Sequence, residues 1–262
     1  MAGLSAKYDK LVLESIGDKY IEKESFYYNL SYESVLKEIL EEKNLLNKFS
    51  KEINPTNSKR PKMLSVASSS RLGFLYGLEN NVVGFETTVS NSRCRPNFDN
   101  YDEENKIYLE YKCHEFTCRT KEHNQLLAET YKTLVPKHFP GIDFKPENLG
   151  MTFGVDMTEP FFDLKQFVCH ILGLLSKASK TDKVTLQYVA FVPDEDLLKD
   201  NVALSKWMEK LKSQINTIFE KFKKKQVKDS KGNEGHLEEF ITLSEVKYVE
   251  VAKINDIVLE RL

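Results

Sequence analysis

Hydrophobic positions follow helical spacing near both ends of the chain and strand spacing between them. Over 32–40, apolar residues recur three and four positions apart, which predicts an amphipathic helix within a helical region covering roughly the first 55 residues. The same spacing over 194–222 predicts a long helix. The segment 161–175 is so apolar that a helix there would be buried. Ser68 precedes a further helical pattern and is a residue type that caps helix N-termini.

Strand patterns lie between these helices. Short segments rich in β-branched and aromatic residues predict strands at 82–89, 97–101, 106–113, 183–192 and 248–252. The polar run 102–105 predicts a turn that joins two of them into a hairpin. Prolines between 136 and 146 indicate loops, and the lysine-rich run 223–235 indicates a solvated loop. Helices that alternate with strands predict an α/β domain with helices packed on a small sheet.

Composition bounds the domain organisation. The chain has 262 residues, of which 40% are hydrophobic, and this excludes collagen-like, low-complexity and wholly disordered classes. Lys and Arg number 38 against 40 Asp and Glu, so the formal net charge of −2 does not indicate a nucleic-acid partner. We expect a single domain with a helical accessory region at 1–58, a core at 59–195, and a long helix plus C-terminal strand at 196–262.

The sequence also predicts where the protein resides. No apolar run reaches the ~18–20 residues that a membrane span requires, so we expect no membrane association. The N-terminal residues carry charges throughout and lack the apolar region of a secretory signal. The sequence has 4 cysteines, too few for a disulfide scaffold in a chain of this length. We therefore expect a cytoplasmic protein with reduced thiols.

The predicted hairpin places charged side chains on one face of the sheet. Because side chains alternate across a strand, a turn at 102–105 puts Asp99 opposite Tyr108, on the face of Glu110 and Lys112. Two neighbouring carboxylates raise each other's pKa unless a cation lies between them. Mg²⁺ binds such oxygen ligands and polarises phosphoryl oxygens. The spacing by itself also fits an exposed sheet face with alternating charges.

The other hairpin face is expected to be mostly apolar. Phe98 and Asn100 are predicted to share it with Ile107 and Leu109, which indicates a sheet packed on a core. Glu86, near the end of the preceding predicted strand, is a further candidate metal ligand or general base.

Asp99 followed by Glu110-Tyr111-Lys112 resembles the signature of the PD-(D/E)xK nuclease superfamily. Over about 60–195 the chain is similar to a restriction-endonuclease family within that superfamily. The motifs that carry the likeness are a serine-rich helix start at 63–72, Phe85-Glu86, the strand end at 110–115, and a Gln/His helix at 163–173.

The chain departs from the superfamily pattern at one position. Proline directly precedes the aspartate in that pattern, whereas Pro96 lies three residues before Asp99 here. If the register slips, Asn97 or Asp102 competes for the role of Asp99.

The resemblance implies a fold, a cofactor and a reaction. The implied fold is α/β, with a PD-(D/E)xK core of mixed sheet flanked by helices and with helical N- and C-terminal additions. The implied activity is hydrolysis of DNA phosphodiester bonds by a restriction-type endonuclease that uses Mg²⁺, with Mn²⁺ as a substitute. Asp99, Glu110 and Glu86 would bind the metal, and Lys112 would be the catalytic lysine.

The resemblance also implies supporting residues and partners. Supporting roles fall on Glu115, Gln166 and His170. Arg71, Arg93 and Arg95 are the candidates for contacts with DNA, since Arg93 and Arg95 lie just before the predicted hairpin, where phosphates would have to lie. The expected partner is double-stranded DNA. A homodimer would match a palindromic target by its two-fold symmetry.

Other interpretations of the same residues remain open. A protein that keeps this fold could bind nucleic acid or assemble with partners without catalysis. A zinc site is a second alternative, although the spacing of its candidate ligands, Cys94, Cys113, His114, Cys118 and His123, does not match short paired ligand runs. A nucleophilic pair of Cys169 and His170 is disfavoured because adjacent helix residues do not face each other.

Overall fold

A computed structural model of the protein describes residues 2–17, 19–22, 25–54, 61–82, 84–89, 96–113, 115–118, 131–157 and 162–262. Its helices are α1 Ala2–Ile16, α2 Leu30–Glu42, α3 Ser50–Ile53, α4 Ser69–Glu79, α5 Glu115–Cys118, α6 Tyr131–His138, α7 Leu149–Phe153, α8 Leu164–Leu174, α9 Glu195–Asp200, α10 Val202–Lys223 and α11 Ile257–Glu260. Its strands are β1 Thr87–Thr88, β2 Asn97–Phe98, β3 Asn100–Asp102, β4 Ile107–Lys112, β5 Val184–Val192, β6 Gln226–Lys228, β7 Glu234–His236, β8 Ile241–Leu243 and β9 Lys247–Glu250.

A mixed sheet forms the centre of the fold. Strand β3 pairs antiparallel with β4, and β4 pairs in parallel with β5. Beyond β5, β8 pairs in parallel with its first residues and β9 with its last. Most residues of β4 and β5 are buried, as expected for parallel strands covered by helices on both faces. The chain is therefore an α/β protein with a mixed sheet flanked by helices, as the sequence predicts.

Helices α4 and α8 cover opposite faces of β4. The backbone of α4 approaches so closely at Gly73 that a Cβ there would overlap the Tyr111 ring. On the other face, Gln166 of α8 reaches the carboxylate of Glu110. Adjacent strand residues point to opposite sides of a sheet, so Glu110 and Tyr111 contact different helices.

The helix start predicted at Ser68 is confirmed, whereas the apolar helix predicted over 161–175 begins at Leu164. The Ser68 hydroxyl accepts a hydrogen bond from the Arg71 amide at 3.1 Å and caps α4. Asp163 caps the apolar helix α8 by accepting from the Gln166 amide at 3.0 Å. Both caps satisfy amide groups that the first helical turn leaves without a backbone partner.

Other predicted elements differ from the structure. The long helix expected over 194–222 is divided at Asn201, whose side chain accepts from the Leu204 amide and begins α10. Pro136, which was expected to mark a loop, lies inside α6. The expected solvated loop at 223–235 contains the hairpin of β6 and β7, and β8 was not predicted at all.

The strand predicted at 82–89 is wrong for most of its length. Among its described residues only Thr87–Thr88 pairs as a strand. Glu86 has a φ of 51°, in the left-handed region, which interrupts extended structure. Gly84 lies so close to the Tyr101 carbonyl that a Cβ there would overlap it. Close approach of backbone, rather than side-chain pattern, therefore determines this segment.

The register of the hairpin is two residues away from the predicted one. Tyr101 pairs with Tyr108 and Asp102 with Ile107, so the turn includes Lys106, whose φ is 54°. A shift of one residue would move every side chain to the other face, whereas a shift of two preserves the faces. The predicted common face of Glu110 and Lys112 is therefore retained.

Phe98 lies on a different face from the predicted one. The strand expected over 97–101 is interrupted at Asp99, which changes the alternation of side chains. The Phe98 ring centroid lies 4.9 Å from that of Tyr108 and 4.5 Å from that of His170. Phe98 consequently packs beside α8 and not on the face of Asn100, because the bend at Asp99 reverses the direction in which its side chain points.

In the ranges given above, no helix combines the length and the apolar character that crossing a bilayer requires.

We expect Gly73→Ala to lower the free energy of unfolding by about 1–3 kcal/mol, because an added methyl group would overpack a filled interface. The Tyr111 ring that it would displace is itself packed edge-on against Tyr76 at 5.9 Å. Urea unfolding followed by circular dichroism measures the change. Gly3→Ala is the matched control, since a Cβ at Gly3 meets nothing within 4 Å. Equal stability of both variants would show that α4 is not tightly packed on β4.

Candidate active site

The site is centred on a buried ion pair in β4. The Lys112 ammonium contacts Oε1 of Glu110, and both side chains are buried. Gln166 of α8 donates its side-chain amide to the same Glu110 oxygen at 2.6 Å. The strand supplies the charged pair because residues two apart share a face, and α8 supplies the neutral donor. Three of the sequence-predicted site residues therefore lie in direct contact.

His170 lies one helical turn beyond Gln166 and faces the same pair. Its Nε2 is 3.6 Å from Oε2 of Glu110, and its Nδ1 is 3.0 Å from the Tyr188 hydroxyl. Burial, followed by the charge of Lys112, lowers the pKa of His170 to about 3. The imidazole is therefore neutral near pH 7, and its approach to Glu110 is a packing contact rather than an ion pair. Tyr188, in β5, was not predicted as part of the site.

Asp99 enters the site through the interruption between β2 and β3. The Tyr111 amide donates to Oδ2 of Asp99 at 2.6 Å, so a carboxylate binds a strand amide at the end of the regular β3–β4 pairing. Burial, followed by the charge of Glu110, raises the pKa of Asp99 to about 8. The predicted proximity of Asp99 to Glu110 and Lys112 is therefore present, although through a bend rather than through strand pairing.

The electrostatics of the pair favour a protonated lysine. Burial lowers the pKa of Lys112, but attraction to Glu110 and then to Asp99 outweighs it, so that pKa is raised. Burial raises the pKa of Glu110, and the adjacent ammonium opposes that increase. The charge of Glu110 in turn contributes to the raised pKa of Asp99.

Glu86 lies next to Asp99, as its assignment to the site requires. Its backbone amide donates to the Asp99 carbonyl at 3.0 Å, which joins the two acidic segments. Burial, followed by the charges of Asp99 and Glu52, raises the pKa of the Glu86 carboxyl to about 7. Glu86 therefore exchanges a proton near neutral pH, unlike an ordinary surface glutamate.

Glu115 lies at the end of β4 that carries Lys112. Its Oε2 accepts the Cys113 amide at 2.5 Å, and its Oε1 accepts the Ser69 hydroxyl. Its charge contributes to the raised pKa of Lys112. Ser69 was not predicted individually, although it belongs to the serine-rich helix start noted in the sequence.

Arg71, predicted to contact DNA, is buried and bonded within the protein. Its side chain is 1% exposed, and its guanidinium donates to Asp256 at 2.9 Å and to the Tyr32 hydroxyl at 3.2 Å. The same group lies over the Tyr28 ring at 4.7 Å. A guanidinium held in this way joins α2, α4 and α11, so the assignment of Arg71 to DNA is wrong. Arg93 and Arg95 lie outside the described residues.

The zinc alternative finds no support in the part of the chain that is described. Cys113 is buried. Cys94, His114 and His123 lie outside the described residues, as does the side chain of Cys118. Within the described ranges, no three His, Cys, Asp or Glu side chains converge as a preformed metal cage.

A Mg²⁺ ion does not require such a cage. It keeps several waters and is usually bound by one or two carboxylates together with substrate phosphates. Asp99 and Glu110 supply two carboxylates whose pKa values are both raised, the first partly by the second. A divalent cation between them would relieve that repulsion. The pair of Asp99 and Glu110 therefore fits a magnesium ion, and the backbone of Glu86 lies beside that of Asp99.

Comparison with models of protein families, with curated proteins and with solved structures finds no match for this chain. The function of the site is consequently inferred from its own chemistry.

We expect Asp99→Asn to raise the free energy of unfolding at alkaline pH. The folded state raises the pKa of Asp99 from 3.8 to about 8 and so binds its proton more tightly than the unfolded chain does. The wild type therefore loses stability progressively as pH rises from about 4 to about 8, and the asparagine variant lacks this loss. The expected gain above pH 8 is about 1–3 kcal/mol, and it disappears near pH 4.

Urea unfolding of both proteins between pH 4 and pH 9 measures this difference. Asp143→Asn is the matched control, because the Asp143 side chain is 84% exposed. A difference that does not depend on pH would show that Asp99 is not strained by its charge.

Proposed function

We propose that the protein is a metal-dependent DNA endonuclease of the PD-(D/E)xK type. The observation that supports this most directly is the convergence of Asp99, Glu110 and Lys112 on one site at the centre of a mixed sheet. An aspartate, a glutamate and a lysine in this order resemble the superfamily signature. The mixed sheet with helices on both faces is compatible with such a core.

Asp99 and Glu110 would hold the metal ion, and Glu86 is the further carboxylate at the same place. Bound there, Mg²⁺ or Mn²⁺ would polarise a phosphodiester oxygen and lower the pKa of a coordinated water. Lys112 keeps its proton and carries a positive charge into a buried site, where it would stabilise negative charge that develops on phosphorus oxygens.

The remaining site residues would either position the metal-binding carboxylates and Lys112 or act as a general base. Gln166 fixes Oε1 of Glu110 by its 2.6 Å hydrogen bond. His170 is neutral and fills the space between Glu110 and the Tyr188 hydroxyl. Glu86, whose pKa is about 7, is suited to accept a proton from an attacking water at neutral pH. Glu115 holds the end of the strand beyond Lys112 through the Cys113 amide.

The substrate in this proposal is double-stranded DNA, and the enzyme is of the restriction type, located in the cytoplasm. Two-fold symmetric targets would be cut by a homodimer, because each protomer has one site of the kind described. Arg93 and Arg95, just before β2 in the sequence, are the remaining candidates for contacts with phosphates.

We expect the purified protein to cleave plasmid or phage DNA in Mg²⁺ and not in EDTA. Asp99→Asn and Lys112→Met should each lower the cleavage rate about 100-fold or more, because the first removes a proposed metal ligand and the second removes the positive charge that would act on the reacting phosphate. Gel electrophoresis measures cleavage, and sequencing of the ends identifies the cut position.

The matched controls change exposed residues of the same types. Asp143→Asn and Lys177→Met should cleave at the wild-type rate, since neither side chain belongs to the site. Wild-type protein that binds DNA without cutting it under any divalent metal would instead support a catalytically silent binding protein. Stoichiometric zinc in the purified protein would support the zinc-stabilised module.

A further inference from the structure

Glu86 occupies a backbone conformation that requires support. Its φ of 51° lies in the left-handed region, where a residue with a Cβ is unfavourable unless its surroundings hold it. Residues in such conformations concentrate at functional sites. The contacts around Glu86 therefore indicate which parts of the chain hold its backbone beside Asp99.

Part of the support comes from the segment itself and from the neighbouring strand. The Thr87 hydroxyl donates to the Gly84 carbonyl and closes a short turn around Glu86. The Glu86 amide donates to the Asp99 carbonyl at 3.0 Å. These bonds leave the Phe85 carbonyl, immediately before Glu86, to be held by another part of the chain.

That support comes from the N-terminal region, just before α3. Lys48 donates its ammonium to the Phe85 carbonyl at 2.9 Å. The next residue, Phe49, is buried and packs its ring 5.8 Å from that of Phe85, and Phe74 of α4 lies 5.6 Å from the same ring. Two consecutive residues thus hold Phe85 by its ring and by its carbonyl, which fixes the peptide that leads into Glu86.

We infer that Lys48 is a positioning residue for the acidic site: it holds the Phe85–Glu86 peptide so that Glu86 lies beside Asp99. The part of this inference that concerns metal binding rests on the proposed function, whereas the part that concerns the peptide does not. Lys48 and Phe49, which belong to the region predicted as accessory, then support the site directly.

Hydrogen exchange at the Glu86 amide tests the inference in the absence of metal. In Lys48→Met, which keeps most of the aliphatic stem, the hydrogen bond from the Glu86 amide to Asp99 should open more often. We expect hydrogen exchange at that amide to accelerate by roughly 5-fold or more, because exchange reports local opening. Lys48→Arg retains a donor and should exchange like the wild type.

Lys51→Met is the matched control, since it removes the same charge from an exposed lysine of α3. Its exchange at Glu86 should equal that of the wild type. Unchanged exchange in Lys48→Met, or equal acceleration in Lys51→Met, would overturn the inference.

Metal affinity provides the second measurement. Titration calorimetry with Mn²⁺ should give a dissociation constant about 3–10-fold weaker in Lys48→Met than in the wild type, with recovery in Lys48→Arg. In a Glu86→Gln background the same change at Lys48 should have no further effect, because the group that Lys48 positions is then neutral. An equal loss in that background would show that Lys48 affects metal binding by a route other than Glu86, and a gain in affinity would show that its charge repels the metal.

The two proposals fail separately. A wild-type protein that neither binds Mn²⁺ nor cleaves DNA would refute the nuclease, while the exchange measurement still decides the role of Lys48. A wild-type protein that binds and cleaves, with unchanged exchange in Lys48→Met, would refute only the role of Lys48.

Discussion

The buried contact between Lys112 and Glu110 is the constraint on which the rest of the structure depends. Removing an ammonium and a carboxylate from water costs several kcal/mol for each ion, and a buried pair rarely recovers much more than that. The pair therefore needs a surrounding that completes its hydrogen bonds and excludes competing water. Gln166 provides a donor to the carboxylate from one side of the sheet. On the other side, the close approach of α4 at Gly73 seals β4, so that the charges lie in a layer that helices cover on both faces.

The bend at Asp99 interrupts a regular strand in order to place a carboxylate in the site. A continuous strand over 97–101 would present backbone groups to β4, whereas the bend presents a carboxylate to the Tyr111 amide. Glu86 repeats this pattern with its left-handed φ of 51°. Local irregularities that place acidic groups side by side are expected where function opposes the ideal geometry of a strand. Both irregular residues hold the site together through one backbone bond, from the Glu86 amide to the Asp99 carbonyl.

The sequence predicts those features that depend on periodicity and residue chemistry. Alternation placed Glu110 and Lys112 on one face, and this survives the two-residue error in register because the alternation has a period of two. The Ser68 cap and the burial of α8 follow from local pattern as well. The bend that moves Phe98 to the face of His170 depends on contacts between distant segments, which no local pattern contains. Arg71 was misassigned for a related reason: arginine is usually exposed, and its partner Asp256 lies 185 residues away.

The balance of charge in the site explains why a function is more plausible there than a purely structural role. Burial first, and neighbouring carboxylates second, raise the pKa of Glu86 to about 7 and that of Asp99 to about 8, so ionising these groups near neutral pH costs the fold part of its stability. His170 cannot offset them, because its pKa of about 3 leaves it neutral. Neutral side chains of similar size would relieve the repulsion and keep the packing. A divalent cation between the carboxylates would relieve this repulsion, which is why the cluster supports the proposed metal site.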